Sequence, residues 1–286
     1  MAACASRWSG AALITPCYSA MRIAIITDIH GNLPALRAVL GAIEAEGVDR
    51  TVCLGDIVGY GAFPAECVRV IRETGMPTVM GNHDHYLTAP DAEMLKMEAS
   101  RAGRTNQVYA GIRHARKRVV GEDLAWLAGR PRTVVDGQLV FGHAALHEDL
   151  KEWPYLVSWE EAQGTLDILG KRIGFFGHSH RENAFCGGAE GFVTVEPGVY
   201  RFPPASRPAA ITVGSVGQPR TGDMRAHWAV WDTRTATLRI RRTKYPVAEA
   251  AHAILDAGLP AGAALRLFGG GRVDPRVAAR VLDVEG

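Results

Sequence analysis

Short apolar runs alternate with helically spaced apolar residues along the first 80 positions of the chain. The runs at 22–27, 51–54 and 77–80 are typical of strands that are buried on both faces. Between them, residues 33–47 and 64–75 carry apolar side chains at helical spacing, and each segment ends at a glycine. The order strand, helix, strand, helix, strand predicts a parallel sheet with crossover helices.

The rest of the chain predicts further helices and a second group of strands. Helices are expected at 91–117, 122–129, 158–169, 246–257 and 260–268. A hairpin is expected at 133–135 and 139–141, joined by an Asp-Gly turn, and a buried strand at 173–176. Short apolar runs typical of a second sheet, mixed or antiparallel, lie at 192–195, 210–213, 228–231 and 238–240. Because no repeat or linker divides these elements, we predict one domain over residues 21–286, preceded by a tail or a mis-assigned start at residues 1–20.

Composition narrows the classes of protein to consider. The chain has 286 residues, 47% hydrophobic and 22% charged, which is typical of a globular protein. Its 32 Lys and Arg against 30 Asp and Glu provide no strong nucleic-acid signal. No apolar run approaches the roughly 18 residues that a membrane span needs, so no membrane partner is expected. Five cysteines without a C-x-x-C pair favour reduced thiols and a cytoplasmic location.

Side chains that can bind metals follow five of the predicted strands. In chain order they are Asp28 and His30, Asp56, Asn82 with His83 and Asp84, His143, and His178 with His180. Strand ends of an open α/β sheet meet at one edge, so these five segments are expected to converge there. Imidazole and carboxylate together suit Mn, Fe, Zn, Co or Ni better than Ca. Asp28, Asp56, Asn82 and four of the histidines make seven plausible donors, which are too many for one ion. Two ions sharing a ligand can stabilise both the attacking and the leaving oxygen of an in-line displacement.

The motifs D-x-H, G-D, G-N-H-D, H and G-H-x-H, in this order, resemble the pattern of the calcineurin-like metallophosphoesterases. The segments GDIVGYG at 55–61 and GSVGQPR at 214–220 resemble the compact bacterial and archaeal branch, which includes small phosphodiesterases and diadenosine-tetraphosphatase-like enzymes. The resemblance covers about residues 21–270. It implies an α/β fold, a four-layer α/β/β/α sandwich of two mixed sheets.

The resemblance also implies a role for each motif residue. One metal ion is expected on Asp28, His30 and His180. A second is expected on Asn82, His143 and His178, and Asp56 bridges the two. His83 matches the family's catalytic histidine, which contacts the phosphate and can protonate the leaving oxygen, and Asp84 is expected to orient it through a hydrogen bond. The resemblance implies two divalent ions, for which Mn is expected first and Fe, Zn, Ni, Co or Mg are alternatives. It also implies that a hydroxide from the solvent bridging the ions is the nucleophile.

The implied function is hydrolysis of a phosphodiester or phosphoanhydride in a small substrate, for which a nucleotide is expected. A phosphomonoesterase or phosphoprotein phosphatase is the alternative within the enzymes. A non-catalytic scaffold on the same fold is disfavoured because the segment 82–84 is intact. Homo-oligomers are possible.

Several residues near the motifs allow two interpretations. Arg220 either contacts a substrate phosphate or caps a turn. Tyr60 either stacks on a base or packs in the core, and packing is favoured. His147 is a possible competitor of His143 for the metal, but His143 directly follows a glycine, as the motif requires. An aromatic cluster that forms either a substrate wall or a dimer patch consists of Trp153, Tyr155 and Trp159.

Overall fold

The protein is described by a computed structural model that covers residues 11–13, 20–90, 104–147, 153–187, 192–194, 198–202 and 207–269. Its strands are β1 Ala11–Leu13, β2 Arg22–Ile26, β3 Arg50–Cys53, β4 Thr133–Asp136, β5 Leu139–Gly142, β6 Ile173–Phe176, β7 Glu182–Cys186, β8 Phe192–Thr194, β9 Val199–Arg201, β10 Ala209–Val213, β11 Ala226–Asp232 and β12 Thr237–Thr243. Its helices are α1 Leu33–Glu46, α2 Pro64–Thr74, α3 Asn82–Thr88, α4 Arg104–Arg116, α5 Gly121–Ala128, α6 Trp159–Leu169, α7 Val247–Asp256 and α8 Ala261–Leu265, the last followed by the 3₁₀ turn Arg266–Phe268.

The strands form two mixed sheets. The first has five strands in the order β3-β2-β11-β12-β9, in which β2 and β3 are parallel and β11 is antiparallel to β2. The second has seven strands in the order β1-β4-β5-β6-β10-β7-β8, with β5, β6 and β10 mutually parallel. Because β2 and β3 run parallel, as do β5 and β6, the loops that follow these four strands lie at neighbouring strand ends.

Three apolar clusters separate four layers. Side chains alternate across β2, so that Ala24 and Ile26 pack against the helices while Ile23 and Ile25 pack against the other sheet. The layer between the sheets also contains Phe175 and other inward residues of the second sheet. On the outer face of the second sheet, α6 packs over its own apolar cluster. The predicted four-layer sandwich is therefore confirmed.

Local signals predicted the first helices closely. The side chain of Asn32 accepts a hydrogen bond from the backbone N–H of Ala35 (3.1 Å) at the start of α1, and Gly47 ends the helix with φ 65°. The capping box of Ser158 and Glu161 is present at α6. Residues 91–103 of the predicted helix 91–117 lie outside the described residues.

Two predictions about strands differ from the structure, and three strands were not predicted. Residues 77–80 form one bridge, Cys53 to Thr78, rather than a strand, because Pro77 has no N–H and the N–H of Met80 donates to Pro131 instead. The assignment of all late strands to one separate sheet was wrong, since β11 and β12 complete the sheet of β2. Strands β1, β7 and β9 were not predicted. Strand β1, within the segment predicted to be a tail, pairs in parallel with β4 and forms the edge of the second sheet. Among the described residues, no helix is long and apolar enough to cross a membrane.

Candidate metal centre

Most of the predicted ligands lie on loops with unusual backbone conformations. Five of them have left-handed φ angles of 51–65°: Asp28, His30, Asp56, His178 and His180. This conformation is uncommon and strained for residues other than glycine, and it concentrates at functional sites. Long-range backbone hydrogen bonds maintain it here, such as Asp28 N–H to Gly55 O at 3.0 Å and His30 N–H to Asp56 O at 2.9 Å.

The first group of potential ligands is Asp28, His30 and His180, whose ligand atoms lie within 4.8 Å of one another. Nδ1 of His30 lies 3.0 Å from the carbonyl of Val58, and Nδ1 of His180 lies 2.6 Å from that of Gln218. A carbonyl oxygen can only accept, so each Nδ1 carries the proton and each Nε2 has a lone pair. The two Nε2 atoms face each other at 3.1 Å, an arrangement that a cation between them would stabilise.

Asp28 completes this group with an oxygen that the protein leaves unpaired. Its Oδ2 accepts hydrogen bonds from the Thr27 hydroxyl (2.9 Å) and from the His178 N–H (3.1 Å). Its Oδ1 is buried without a hydrogen-bond partner among the described residues, 3.3 Å from Nε2 of His180. A buried unpaired carboxylate oxygen is costly unless a cation binds it. The group therefore fits a metal ion.

The second group is Asp56, His143 and His178. Nδ1 of His143 donates to the Leu54 carbonyl (2.8 Å), so Nε2 is the nitrogen that can bind a metal. That Nε2 lies 3.1 Å from Oδ1 of Asn82, which places the amide beside the group. His178 has the opposite tautomer, because its Nε2 donates to the Trp153 carbonyl (3.2 Å) and leaves Nδ1 available.

Asp56 connects the two groups. Its Oδ2 lies 3.3 Å from Nε2 of His143 and 3.7 Å from Nε2 of His30. Its Oδ1 accepts a hydrogen bond from the N–H of His83 (2.8 Å), which holds the carboxylate in place. One oxygen thus faces ligands of both groups, which is the arrangement expected of a bridging ligand.

The side chains alone create a strongly perturbed electrostatic environment. Burial raises the pKa of Asp28 to about 7. Burial opposes ionisation of Asp56, but His143 and the neighbouring histidines lower its pKa well below the usual range. Burial lowers the pKa of His178 to about 3 and holds that of His30 and His180 well below their usual value. Neutral imidazoles are the form in which these three histidines bind metals, whereas Asp56, against the effect of burial, raises the pKa of His143 to about 9.

His83 lies at the second position of α3, and its Nε2 faces the cluster formed by the two ligand groups, 4.0 Å from Oδ2 of Asp56. Its ring contacts those of His30 and Tyr60, with centroids 4.7 and 4.8 Å away. Burial lowers its pKa to about 4. Its Nδ1 is buried and has no hydrogen-bond partner among the residues the structure describes.

Asp84 does not make the expected hydrogen bond to His83. Its Oδ1 accepts from the backbone N–H groups of Ile57 (3.0 Å) and Val58 (3.2 Å), and its Oδ2 accepts from that of Gly81 (3.1 Å). Successive side chains on a helix point about 100° apart, so Asp84 faces the loop after β3 while His83 faces the cluster. Asp84 therefore anchors that loop instead of contacting the histidine.

Comparison with known proteins identifies the family. The family model of calcineurin-like phosphoesterases matches residues 21–182. The chain belongs to the calcineurin-like phosphoesterase family. It is 32% identical over 252 residues to a protein without assigned function from Methanocaldococcus jannaschii, an alignment that covers 86% of this chain and 97% of that protein.

Solved structures share the phosphoesterase fold. A metallophosphoesterase from Sphaerobacter thermophilus is 29% identical with a TM-score of 0.74, and the match covers 88% of this chain and 100% of that one. A hypothetical protein from Pyrococcus horikoshii is 16% identical with a TM-score of 0.69, covering 88% and 99% of the two chains. A candidate diadenosine tetraphosphatase is 17% identical with a TM-score of 0.50, covering 82% and 99%. This phosphoesterase is a phosphoric ester hydrolase of a family that uses divalent metal ions.

The structure resolves some of the open alternatives. Tyr60 is 5% exposed and packs against the rings of His30 and His83, which supports the core interpretation. His147 is exposed and belongs to none of the ligand groups found in the described part of the chain, whereas His143 does. Tyr155 stacks on His178. Trp159 instead packs on the outer face of the second sheet.

Arg220 lies beside the cluster formed by the two ligand groups. Its backbone N–H donates to the carbonyl of His180 (3.2 Å), and its side chain is half-buried. After burial, its positive charge is the next cause that lowers the pKa of His180, and it offsets part of the rise that burial causes in the pKa of Asp28. The guanidinium is therefore close enough to act on an anion held at the cluster.

Sequence reasoning missed the residues that join Asp28 to His180. The Ser215 hydroxyl donates to the carbonyl of Asp28 (2.9 Å) and accepts from the N–H of Gln218 (2.8 Å), whose carbonyl holds His180. Gly217 packs so closely that a Cβ there would collide with the carbonyl oxygen of Ile29. The segment 214–220 was noticed only as a resemblance, although its glycines were a sign of close backbone approach.

Proposed function

We propose that this phosphoesterase hydrolyses a phosphodiester or phosphoanhydride of a small nucleotide with two divalent metal ions. The observation that carries the proposal is Asp56, whose Oδ2 faces both ligand groups. A single-metal hydrolase has no need of a carboxylate shared between two sets of histidines. The name of one structural neighbour, a candidate diadenosine tetraphosphatase, is consistent with a nucleotide substrate.

The residues fit two ions, for which manganese is the first candidate. We assign one ion to Asp28, His30 and His180 and the other to Asn82, His143 and His178, with Asp56 shared. When bound, such ions lower the pKa of water and act as Lewis acids on phosphoryl oxygens. The mixed nitrogen and oxygen donors also accept Fe, Zn, Ni, Co or Mg, so availability decides among them.

The chain's own residues supply proton transfer and positioning. His83 is assigned as the proton donor to the leaving oxygen, because its Nε2 faces the ligand groups while its ring is held by packing. Because burial favours the neutral ring, this role requires the anionic substrate to raise the pKa of His83. Asn82 adds an amide beside the phosphate, which helps to stabilise charge on the phosphoryl oxygens. Asp84 positions the loop that carries Asp56, so its contribution reaches the reaction through the backbone.

Arg220 is assigned to the substrate phosphate. Its side chain makes no hydrogen bond or ion pair with the other described residues, so its charge remains available to an anion at the cluster. Arg220→Ala should raise KM about tenfold or more with a smaller change in kcat, because the charge acts mainly on binding. Arg225→Ala is the matched control, since Arg225 is exposed and paired with Asp223. Equal effects of the two variants would contradict this role.

A cytoplasmic location is proposed from the thiols. Cys53 and Cys67 are buried and free, and Cys186 is half-buried and free. Unpaired cysteines are typical of a reducing compartment.

The deciding experiment compares bis(p-nitrophenyl) phosphate with p-nitrophenyl phosphate on metal-stripped protein, with and without added Mn²⁺. We expect Mn²⁺-dependent turnover that favours the diester. Turnover of the monoester alone would identify a phosphomonoesterase, and turnover of neither by protein with two bound ions would refute the proposal.

His83→Ala tests the proton donor separately. We expect two retained metal ions and a rate lower by roughly 10²–10⁴-fold, the usual contribution of a positioned general acid. Loss of metal or an unchanged rate would contradict the assigned role.

A further inference from the structure

An exposed aromatic ring lies directly against the two groups of potential metal ligands. The ring of Tyr155 stacks on that of His178, with centroids 4.0 Å apart and planes 15° from parallel, yet Tyr155 is 45% exposed. The stacking accounts for one face of Tyr155. The exposed area of the side chain therefore presents aromatic surface to solvent next to a proposed ligand.

Tyr155 lies where the cluster opens to solvent. His178 is 8% exposed, Asn82 7% and His83 5%, whereas the deeper ligands are at most 2% exposed. The ligand groups are therefore accessible from the side of His178, Asn82 and His83.

The segment before Tyr155 is held rigidly at this opening. The carbonyl of Trp153 accepts the Nε2–H of His178 (3.2 Å), and its ring lies 6.0 Å from that of His143. The guanidinium of Arg132 covers the Trp153 ring at 3.5 Å from its centroid. This cation–π contact fixes Trp153 and occupies one of its faces, while Tyr155 remains exposed.

We propose that the exposed face of Tyr155 is a stacking platform for the base of a nucleotide substrate whose phosphate lies at the metal cluster. This inference rests on the proposed function and specifies its substrate class. A nucleotide joins a flat ring to its phosphate through a sugar, which matches a platform one ring away from the ligand groups. Stacking on an aromatic side chain tolerates any base, because every base has a π face.

The test compares two ligands that differ only by the base. Calorimetry on Mn²⁺-loaded protein measures Kd for AMP and for ribose 5-phosphate, in the wild type and in Tyr155→Ala, Tyr155→Phe and Val157→Ala. We expect AMP to bind about tenfold more tightly than ribose 5-phosphate in the wild type. Tyr155→Ala should reduce that ratio to about one. Tyr155→Phe and Val157→Ala, the latter an exposed neighbour on the same segment, should preserve it.

The ratio of the two Kd values distinguishes a residue that stacks on the base from one that only supports the position of His178. If Tyr155 only holds His178, Tyr155→Ala would weaken both ligands equally and lower the metal content, and the proposal would be overturned. A ratio near one in the wild type, or an unchanged ratio in Tyr155→Ala, would overturn it as well. Because binding is measured without turnover, failure to hydrolyse the diester would refute the proposed function without deciding this ratio.

Discussion

Replacing Asp84 by asparagine should destabilise the protein through the loop after β3. The Asp84 carboxylate is fully buried and accepts three backbone hydrogen bonds, from Ile57, Val58 and Gly81. Asparagine can retain the oxygen that serves Ile57 and Val58. Its amide group then faces the N–H of Gly81, so two donors oppose each other and one buried N–H is left unpaired.

The size of the effect follows from that unpaired group. A buried donor without a partner costs about 1–3 kcal/mol, so Asp84→Asn should lower the free energy of unfolding by about 2 kcal/mol. Urea unfolding of the metal-stripped protein at pH 7.5 measures it. The control is Asp167→Asn, the same chemical change at an exposed helix position, where a change within about 0.5 kcal/mol is expected.

The same variant distinguishes the loop from the histidine. If Asp84 acts only on the loop, Asp84→Asn should weaken metal binding by Asp56 and leave the shape of the pH–rate profile unchanged. A stability within 0.5 kcal/mol of the wild type, together with a displaced pH–rate profile, would refute this reasoning. Asp84 would then act on His83, as the family resemblance implies.

Three further predictions use other parts of the structure. Asp56→Ala should lose at least one of two bound ions, as measured by metal analysis, and full retention of both would contradict a shared ligand. Gly59 has φ 98° and a Cβ there would collide with Nδ1 of His83, so Gly59→Ala should lower kcat with the metals retained, whereas Gly41→Ala, with open space around it, should not. The pKa of Glu46 is lowered by hydrogen bonds and charges from two arginines, so the ionised form stabilises the fold. Glu46→Gln should therefore cost about 1 kcal/mol at pH 7, and the difference should shrink as pH falls below about 4.5, as measured by urea midpoints at several pH values. A difference that persists at low pH would exclude this cause.

Local patterns were sufficient to predict most elements and the positions of the ligands. A short apolar run indicates a buried strand, and a glycine such as Gly47 ends a helix through its own backbone, so both can be recognised without knowledge of distant residues. The predicted ligands follow strand ends, and parallel pairing brings such ends together. Convergence within each sheet was therefore predictable, whereas the meeting of Asp28 and Asp56 with His143, His178 and His180 depends on how the two sheets pack.

Tertiary structure decided the interactions between distant segments. The side chains of β11 alternate between two faces in either sheet. Its pairing with β2 could therefore not be predicted from its own residues. Asp84 finds its partners 26 and 27 residues away, and Ser215 reaches Asp28 across 187. Sequence determined which groups reach the site because strand ends are local features. Only the folded chain determined which atoms remain unpaired there, because hydrogen-bond partners are chosen by proximity in space.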